Sequence, residues 1–320
     1  MDKFKYKVGF YFDVKIHEHD GGDRTYLAEL FRVIETLNKR GLFECVALLE
    51  VNTSGSGHLP SMDGFREIRL PVLGDVRNTS WKVSVAEKLC RAFPKLLSRL
   101  NLRVQQYHTR HYEQSFIDIC QAENISLVYY GRQHQCRTIR VPYVINNYDV
   151  VHFDLAGFPD LKSSLQMRKQ FYERFLQSAL MVFCESNASR QDLQNFLQVP
   201  DDKIHVVPML PGGVVYHDPT EDDINTLHSR YDLVAEKYFV YPAQMWALKN
   251  HIALVESFAM FMKQGVSPEW KLVFAGHERE NGDYIREQCQ MLGIGAQVCF
   301  AGYVSEIELN TLYRGAAAMV

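Results

Sequence analysis

Lys249 stands where a short apolar run, "KYFVY", gives way through "PAQMWAL" to a segment of helical period. A cation there runs against the partial positive charge of a helix N-terminus, so the placement makes chemical sense if an anion lies between them. The ammonium would then act as a point charge toward phosphate. The plain alternative is an exposed lysine pointing into water, which costs only roughly a few tenths of a kcal/mol. A second pattern suited to anions is "HEHDGGDRTY", which puts Gly21 and Gly22 directly before a long helical segment. Glycine allows close backbone approach to a ligand, and a helix start offers free N–H groups. The spacing lacks the G-x-G-x-x-G of a dinucleotide fingerprint, and a flexible joint between strand and helix accounts for the same glycines. His17, His19 and Asp20, in the same turn, are spaced poorly for a metal and read as solvated loop residues.

Titratable groups also follow the apolar run "YVIN": Tyr148, Asp149, His152 and Asp154. Polar groups at the carboxyl end of a parallel strand sit where open α/β sheets bind ligands, and histidine is suited to proton transfer near neutrality. A loop-capping Asp149 and a surface His152 fit the same spacing. Glu185 ends the run "LMVFCE", followed by Ser186 or Asn187 as a helix N-cap; a cap needs no ligand, although Glu185 is placed to face one. His108 and His111, three apart, fit surface packing. No G-x-S-x-G, H-E-x-x-H or Walker motif occurs.

These groups need a scaffold that gathers strand ends and helix starts. Apolar runs of strand length alternate with longer segments of helical period, which predicts an α/β protein with parallel sheets wound by helices. Strands are predicted at "YKVGFYF", "ECVALLEV", "ISLVYYG", "PYVIN" and "LMVFCES". The segment 25–41 carries Leu27, Leu30, Phe31, Ile34 and Leu37 on one helical face and ends at Gly41. Residues 52–64 form one long stretch of loop composition. The pattern breaks at "YHDPTEDDINTLHSRYDL", polar and acidic, and the boundary between two domains, 1–215 and 216–320, is predicted there. The second domain then alternates strands "KYFVY", "KLVFAG", "QVCFAG" and "AAMV" with helices from about 248 to 263, at "DYIREQCQMLGI" and at "SEIELNTLYRGA". Ser305 and Glu308 form a capping box for the last helix. Its sheet is small against the usual five or six strands, so the second domain reads as incomplete and the sequence as a portion of a longer protein.

The bulk numbers agree with a soluble two-domain chain: 320 residues, 47% hydrophobic and 23% charged. A formal net charge of -3 gives no general attraction for nucleic acid. The seven cysteines are scattered and never in a C-x-x-C pair, which favours reduced thiols in the cytoplasm over a disulfide frame. Neither a signal-peptide core nor a membrane-spanning run is present in the sequence.

From "NNYDVVHFDLAGFPD" through "FYERFLQSALMVFCESNASRQDLQNFLQVPDDKIHVVP" to "YFVYPAQMWALKNHIALVESFA", "KLVFAG" and "VCFAGYVSEIELNTLYRGAAAMV", the sequence resembles the GT-B glycosyltransferases of the group 1, or family 4, type. The likeness covers most of residues 144–320, with weaker support from "GGDRTYLAELFRVIETL". It implies two Rossmann-like domains facing across a cleft. It also implies retaining, metal-independent transfer of a hexose from a GDP- or UDP-linked nucleotide sugar to a glycan or glycolipid acceptor. Surface polysaccharide biosynthesis and a mannose donor are its commonest settings. No cofactor beyond the donor is implied, and the expected location is cytoplasmic, with peripheral contact at the inner face of the membrane.

Carried over by position, Lys249 resembles the family's donor-phosphate lysine, and Gly21 and Gly22 its glycine loop near the phosphates. Gln244 stands five residues before the lysine, where many members have arginine, and it adds a hydrogen-bonding group but no charge. Tyr148-Asp149 stands where a His-Asp pair is frequent. His152 matches a histidine of one subset and becomes the candidate near the acceptor hydroxyl or the transferred sugar, with Asp149 beside it. The family's two glutamates eight positions apart would follow Val320, so the 320-residue chain alone is expected to transfer sugar poorly. A nucleotide-sugar epimerase or phosphorylase shares the architecture implied. A non-catalytic binding subunit would account for Gln244, Tyr148 and the absent carboxylates.

Overall fold

The computed structural model describes residues 6–13, 22–50, 65–70, 85–86, 88, 92, 98–133, 136–150, 153, 165–210, 212 and 218–320. Gly21, His152, the loop-rich stretch 52–64, and His17, His19, Asp20 and Asp154 lie outside them. Two compact units divide the chain: residues 1–17, 30–150 and 166–209 form the first, and 18–29, 151–165 and 210–320 the second.

The first unit holds a seven-stranded sheet in the order β3-β2-β1-β4-β5-β6-β7. The strands are β1 Lys7–Asp13, β2 Glu44–Glu50, β3 Arg66–Leu70, β4 Leu127–Tyr130, β5 Tyr143–Asn146, β6 Met181–Cys184 and β7 Ile204–Val206. Every neighbouring pair is parallel, and the order grows outward from β1 in both directions. The central strands are covered on both faces, which is why they read as unbroken apolar runs: Val46, Leu48, Val128 and Ile145 are fully buried, whereas the edge strand β3, "REIRL", is largely exposed. Tyr11, Tyr130 and Tyr143 pack ring to ring across β1, β4 and β5 at 5.3 and 5.7 Å. Two of these buried phenols are partnered by Arg137, whose Nε donates to the Tyr11 hydroxyl at 2.8 Å and whose backbone N–H donates to that of Tyr130 at 3.2 Å.

Helices α1 Gly22–Lys39, α2 Ser98–Ala122, α3 Leu165–Gln170 and α4 Asn187–Leu197 follow in chain order. Of the predicted face of α1, Leu27, Phe31 and Ile34 are buried and Leu30 and Leu37 half-buried, and Gly41 closes the turn beyond the helix at φ +69°. His108 and His111 lie well inside α2.

The second unit holds a four-stranded parallel sheet, β10-β9-β8-β11, with β8 Tyr238–Tyr241, β9 Lys271–Ala275, β10 Val298–Gly302 and β11 Ala318–Met319. Its helices are α5 Glu221–Tyr231, α6 His251–Met262, α7 Gly282–Met291 and α8 Glu306–Gly315. The capping box of Ser305 and Glu308 opens α8, as the sequence predicts. Helix α5, in contrast, occupies the stretch read as a break in the pattern. Its polarity is that of a helix start: Thr220 and Asp223 form a capping box, and Glu221, Asp222 and Asp223 complement the N-terminal dipole. A single apolar residue, Leu227, is its buried anchor.

All six described cysteines are free, and burial pushes the thiols of Cys45 and Cys120 up to about 12 and those of Cys289 and Cys299 up to about 11. Thiols held protonated in this way are poor nucleophiles. No described helix is long and apolar enough to cross a membrane.

Two histidines of the second unit are enclosed by aromatic rings. His251 is 2% exposed, with Tyr241 at 4.9 Å and Phe274 at 5.0 Å, and His228 packs against Tyr238 at 5.9 Å. Burial holds both below the ordinary histidine value of 6.5. Below that pH the unfolded chain therefore binds more protons than the folded one, and stability present above it is lost as the pH falls. The melting temperature should drop between pH 7.5 and about 5.5, and His251→Phe, which keeps an aromatic ring in place, should make that drop smaller. Thermal melts of both proteins across the range check this; parallel pH profiles would remove His251 as a contributor.

Candidate functional site

In the second unit β8 stands between β9 and β11, so the strand order reverses beside it, and the carboxyl ends at such a reversal form the natural ligand crevice of an open α/β sheet. The loop leaving β8 there contains Gln244 and Lys249. It is built from the backbone outward. Met245 is fully buried and pins the loop to the core. Ala247–Lys249 form one 3-10 turn, Asn250 takes the left-handed conformation at φ +51°, and α6 starts only at His251. Lys249 thus closes a tight turn before the helix instead of opening it, and α6 is the unit's second helix.

The main chain of Lys249 is fixed on both sides. Its N–H donates to the Trp246 carbonyl at 2.9 Å, and its carbonyl accepts from the Tyr241 hydroxyl at 2.9 Å. The side chain is exposed and makes no ion pair among the described residues. Its charge reaches His251, where it adds to burial in disfavouring the protonated ring. No side chain caps the first turn of α6, which leaves helix N–H groups next to the lysine.

A second loop, from Gly276 to Asn281 after β9, is locked against the first. Met245 N–H donates to the His277 carbonyl at 3.0 Å, and Asn281 Nδ2 donates to the Met245 carbonyl at 2.9 Å. Gly276 permits the approach: a Cβ there would lie 2.4 Å from the Ala243 carbonyl oxygen. Across this contact the side-chain carbonyl of Gln244 accepts from Trp246 Nε1 and from Arg279 Nε, both at 3.0 Å. The Arg279 guanidinium lies 5.0 Å from the centre of the Trp246 ring. Arg279 is the residue that sequence reasoning misses; its only signal is a polar run, "HEREN", directly after a strand.

In the first unit Asp149 follows β5 and is embedded in a polar network. Its carboxylate pairs with Arg168 at 2.9 Å, and its backbone carbonyl accepts from Gln133 Nε2 at 2.9 Å, the Tyr172 hydroxyl at 3.0 Å and Asn147 Nδ2 at 3.1 Å. Tyr172 lies on a π-helical turn, Phe171–Leu176, that continues α3. Burial first, then the Asp149 charge, raises its phenol to about 12. Glu185 ends β6; burial raises its pKa, opposed by hydrogen bonds and reinforced by the charge of Asp149. Its Oε2 is buried without a hydrogen-bond partner among the described residues. Ser186 is the N-cap of α4, accepting from Ser189 N–H at 3.1 Å. Gly22 is itself the first residue of α1, which starts three residues ahead of the segment 25–41 read as helical.

Residues 224–320 match the model of the family described as "Glycosyl transferases group 1". No curated protein matches the sequence. Among solved structures, the chain is similar to sucrose-phosphate synthase from Thermosynechococcus elongatus, with 14% identity over 98% of this chain and 75% of the other and a TM-score of 0.65. It is similar to Anabaena Alr3699/HepE, solved with UDP-glucose, at 14% identity over 98% and 72% of the two chains and a TM-score of 0.58. A putative UDP-N-acetylglucosamine 2-epimerase from Listeria monocytogenes has 12% identity over 97% and 73% of the chains, with a TM-score of 0.54.

The packing at Gly276 has a direct consequence. Gly276→Ala should destabilise the second unit by about 1–3 kcal/mol, because the obstacle is main chain and cannot rotate away. Chemical denaturation of the two proteins measures it; an unchanged midpoint would mean that the two loops yield without cost.

Proposed function

We propose that this chain, whose residues 224–320 carry the group 1 glycosyltransferase match and whose fold is the GT-B pair of parallel-sheet domains, transfers a hexose from a nucleoside diphosphate sugar to a glycan or glycolipid acceptor. The transfer is assigned as retaining and metal-independent. Lys249 carries the reading. It is an exposed cation, without an ion pair among the described residues, on a turn fixed by backbone bonds, at the carboxyl end of the strand where the sheet order reverses, inside the span that matches the family.

Departure of the sugar leaves negative charge on the diphosphate, and a preorganised cation beside uncapped helix N–H groups stabilises that charge as it develops. Gly21, and Gly22 at the start of α1, are assigned to the phosphates as well. His152 is assigned to the acceptor hydroxyl or the transferred sugar, with Asp149 beside it and held by Arg168. The binding of UDP-glucose by the Anabaena protein supports a uridine diphosphate sugar over a guanosine one. Mannose and surface polysaccharide biosynthesis stay the default donor sugar and setting, in the cytoplasm with peripheral contact at the inner membrane face.

The likeness to the Listeria epimerase favours a second reading, interconversion of a nucleotide sugar without an acceptor. Incubating the protein with labelled UDP- and GDP-hexoses, with and without glycan or glycolipid acceptors, separates the two: label on the acceptor supports transfer, and an altered free nucleotide sugar supports epimerisation. Lys249→Ala should lower transfer by about 10²–10³-fold and weaken nucleoside diphosphate binding. Wild-type rate and affinity in that variant would remove Lys249 from the site.

A further inference from the structure

We infer that Arg279 is a second phosphate-binding cation of this site, held in position by Gln244 and Trp246. The inference rests on the donor-site reading of Lys249 given above. Several other cations of the second unit are spoken for: Arg230 pairs with Glu308, Lys237 with Glu269, Lys271 with Asp232 and Arg314 with Asp218. Even Glu278, the immediate neighbour of Arg279, gives its carboxylate to Arg286 instead, at 2.5 Å. Arg279 makes no ion pair among the described residues, although it is exposed and carboxylates are common in the chain.

Its guanidinium is nevertheless oriented. One edge is used, through Nε to Gln244, and one face lies toward Trp246. Both Nη groups are left without a hydrogen bond among the described residues. Paired Nη donors can grip two oxygens of one phosphate, which a lysine cannot do. The backbone supports the same assignment. Arg279 holds a left-handed conformation at φ +50°, unusual for a residue with a side chain, and its N–H is tied to His277 Nδ1 at 3.2 Å.

Because the two loops are locked together through Met245, Lys249 and Arg279 stand on neighbouring loops at one edge of the sheet. Two unpaired cations placed so are relieved by a ligand with more than one negative charge, such as a nucleoside diphosphate. Gln244 acts here as a positioning residue, since its side-chain carbonyl is spent on Arg279 and Trp246.

Calorimetric titration with UDP and with GDP tests this on the wild-type protein and on Arg279→Gln, Arg279→Lys, Gln244→Ala and Lys249→Ala. Arg279→Gln should weaken whichever diphosphate the wild type binds by about 10–100-fold, and Arg279→Lys should restore only part of that loss. Gln244→Ala should weaken binding by about 3–10-fold with an unchanged melting temperature, as expected when one orienting hydrogen bond is lost. Wild-type affinity in Arg279→Gln alongside a loss in Lys249→Ala would overturn the role of Arg279 and leave the donor site standing. Failure of the wild type to bind either diphosphate would instead bring down the donor-site reading, and this inference with it.

Discussion

The second unit depends on one close approach of main chain to main chain, that of Gly276 to Ala243. A side chain at position 276 would have to share space with a carbonyl oxygen, so the two strand-end loops can touch only because glycine is there. That contact brings the Met245 N–H within reach of the His277 carbonyl, and the Asn281 amide within reach of Met245. With Met245 buried, both loops are anchored in the same core that α6 and α7 pack against. Everything polar at this edge, from Gln244 to Arg279, is displayed from that join.

The first unit solves a different problem. Its central strands are covered on both faces, so polar groups gather where β4, β5 and β6 end. There Asp149 is bound on every side. Arg168 neutralises its carboxylate while Gln133, Asn147 and Tyr172 hold its main-chain carbonyl. A carboxylate paired in this way is better suited to fixing the loop after β5 than to removing a proton itself. Glu185 is the contrasting case, half-buried, with one oxygen unpartnered and its neutral form favoured by burial.

Much of this was readable along the chain because it is local. Alternating apolar runs gave the parallel strands, the spacing of Leu27, Phe31 and Ile34 gave the buried face of α1, and Ser305 with Glu308 marked the start of α8. What escaped is either polar or distant. Helix α5 is held by a capping box and a single buried leucine, so it has almost no apolar periodicity to detect. The Gln244–Arg279 contact joins residues 35 apart, across a complete helix and strand, and no local spacing announces it. The position of Lys249 was legible but the shape of its turn was not, since the left-handed Asn250 separates the lysine from α6.

The turn around Lys249 is held by its own main chain, by the Tyr241 hydroxyl and by the buried Met245, and none of these uses the lysine side chain. Folding and chemistry are therefore encoded by different atoms of the same few residues. Selection acting on stability alone would be blind to what the side chain at position 249 is, because exposed substitutions away from packing and caps are close to neutral. Lineages could keep this turn intact while exchanging its cation for another group, acquiring or losing a ligand without paying in foldedness. A stability screen over the second unit would score position 276 as intolerant and position 249 as silent.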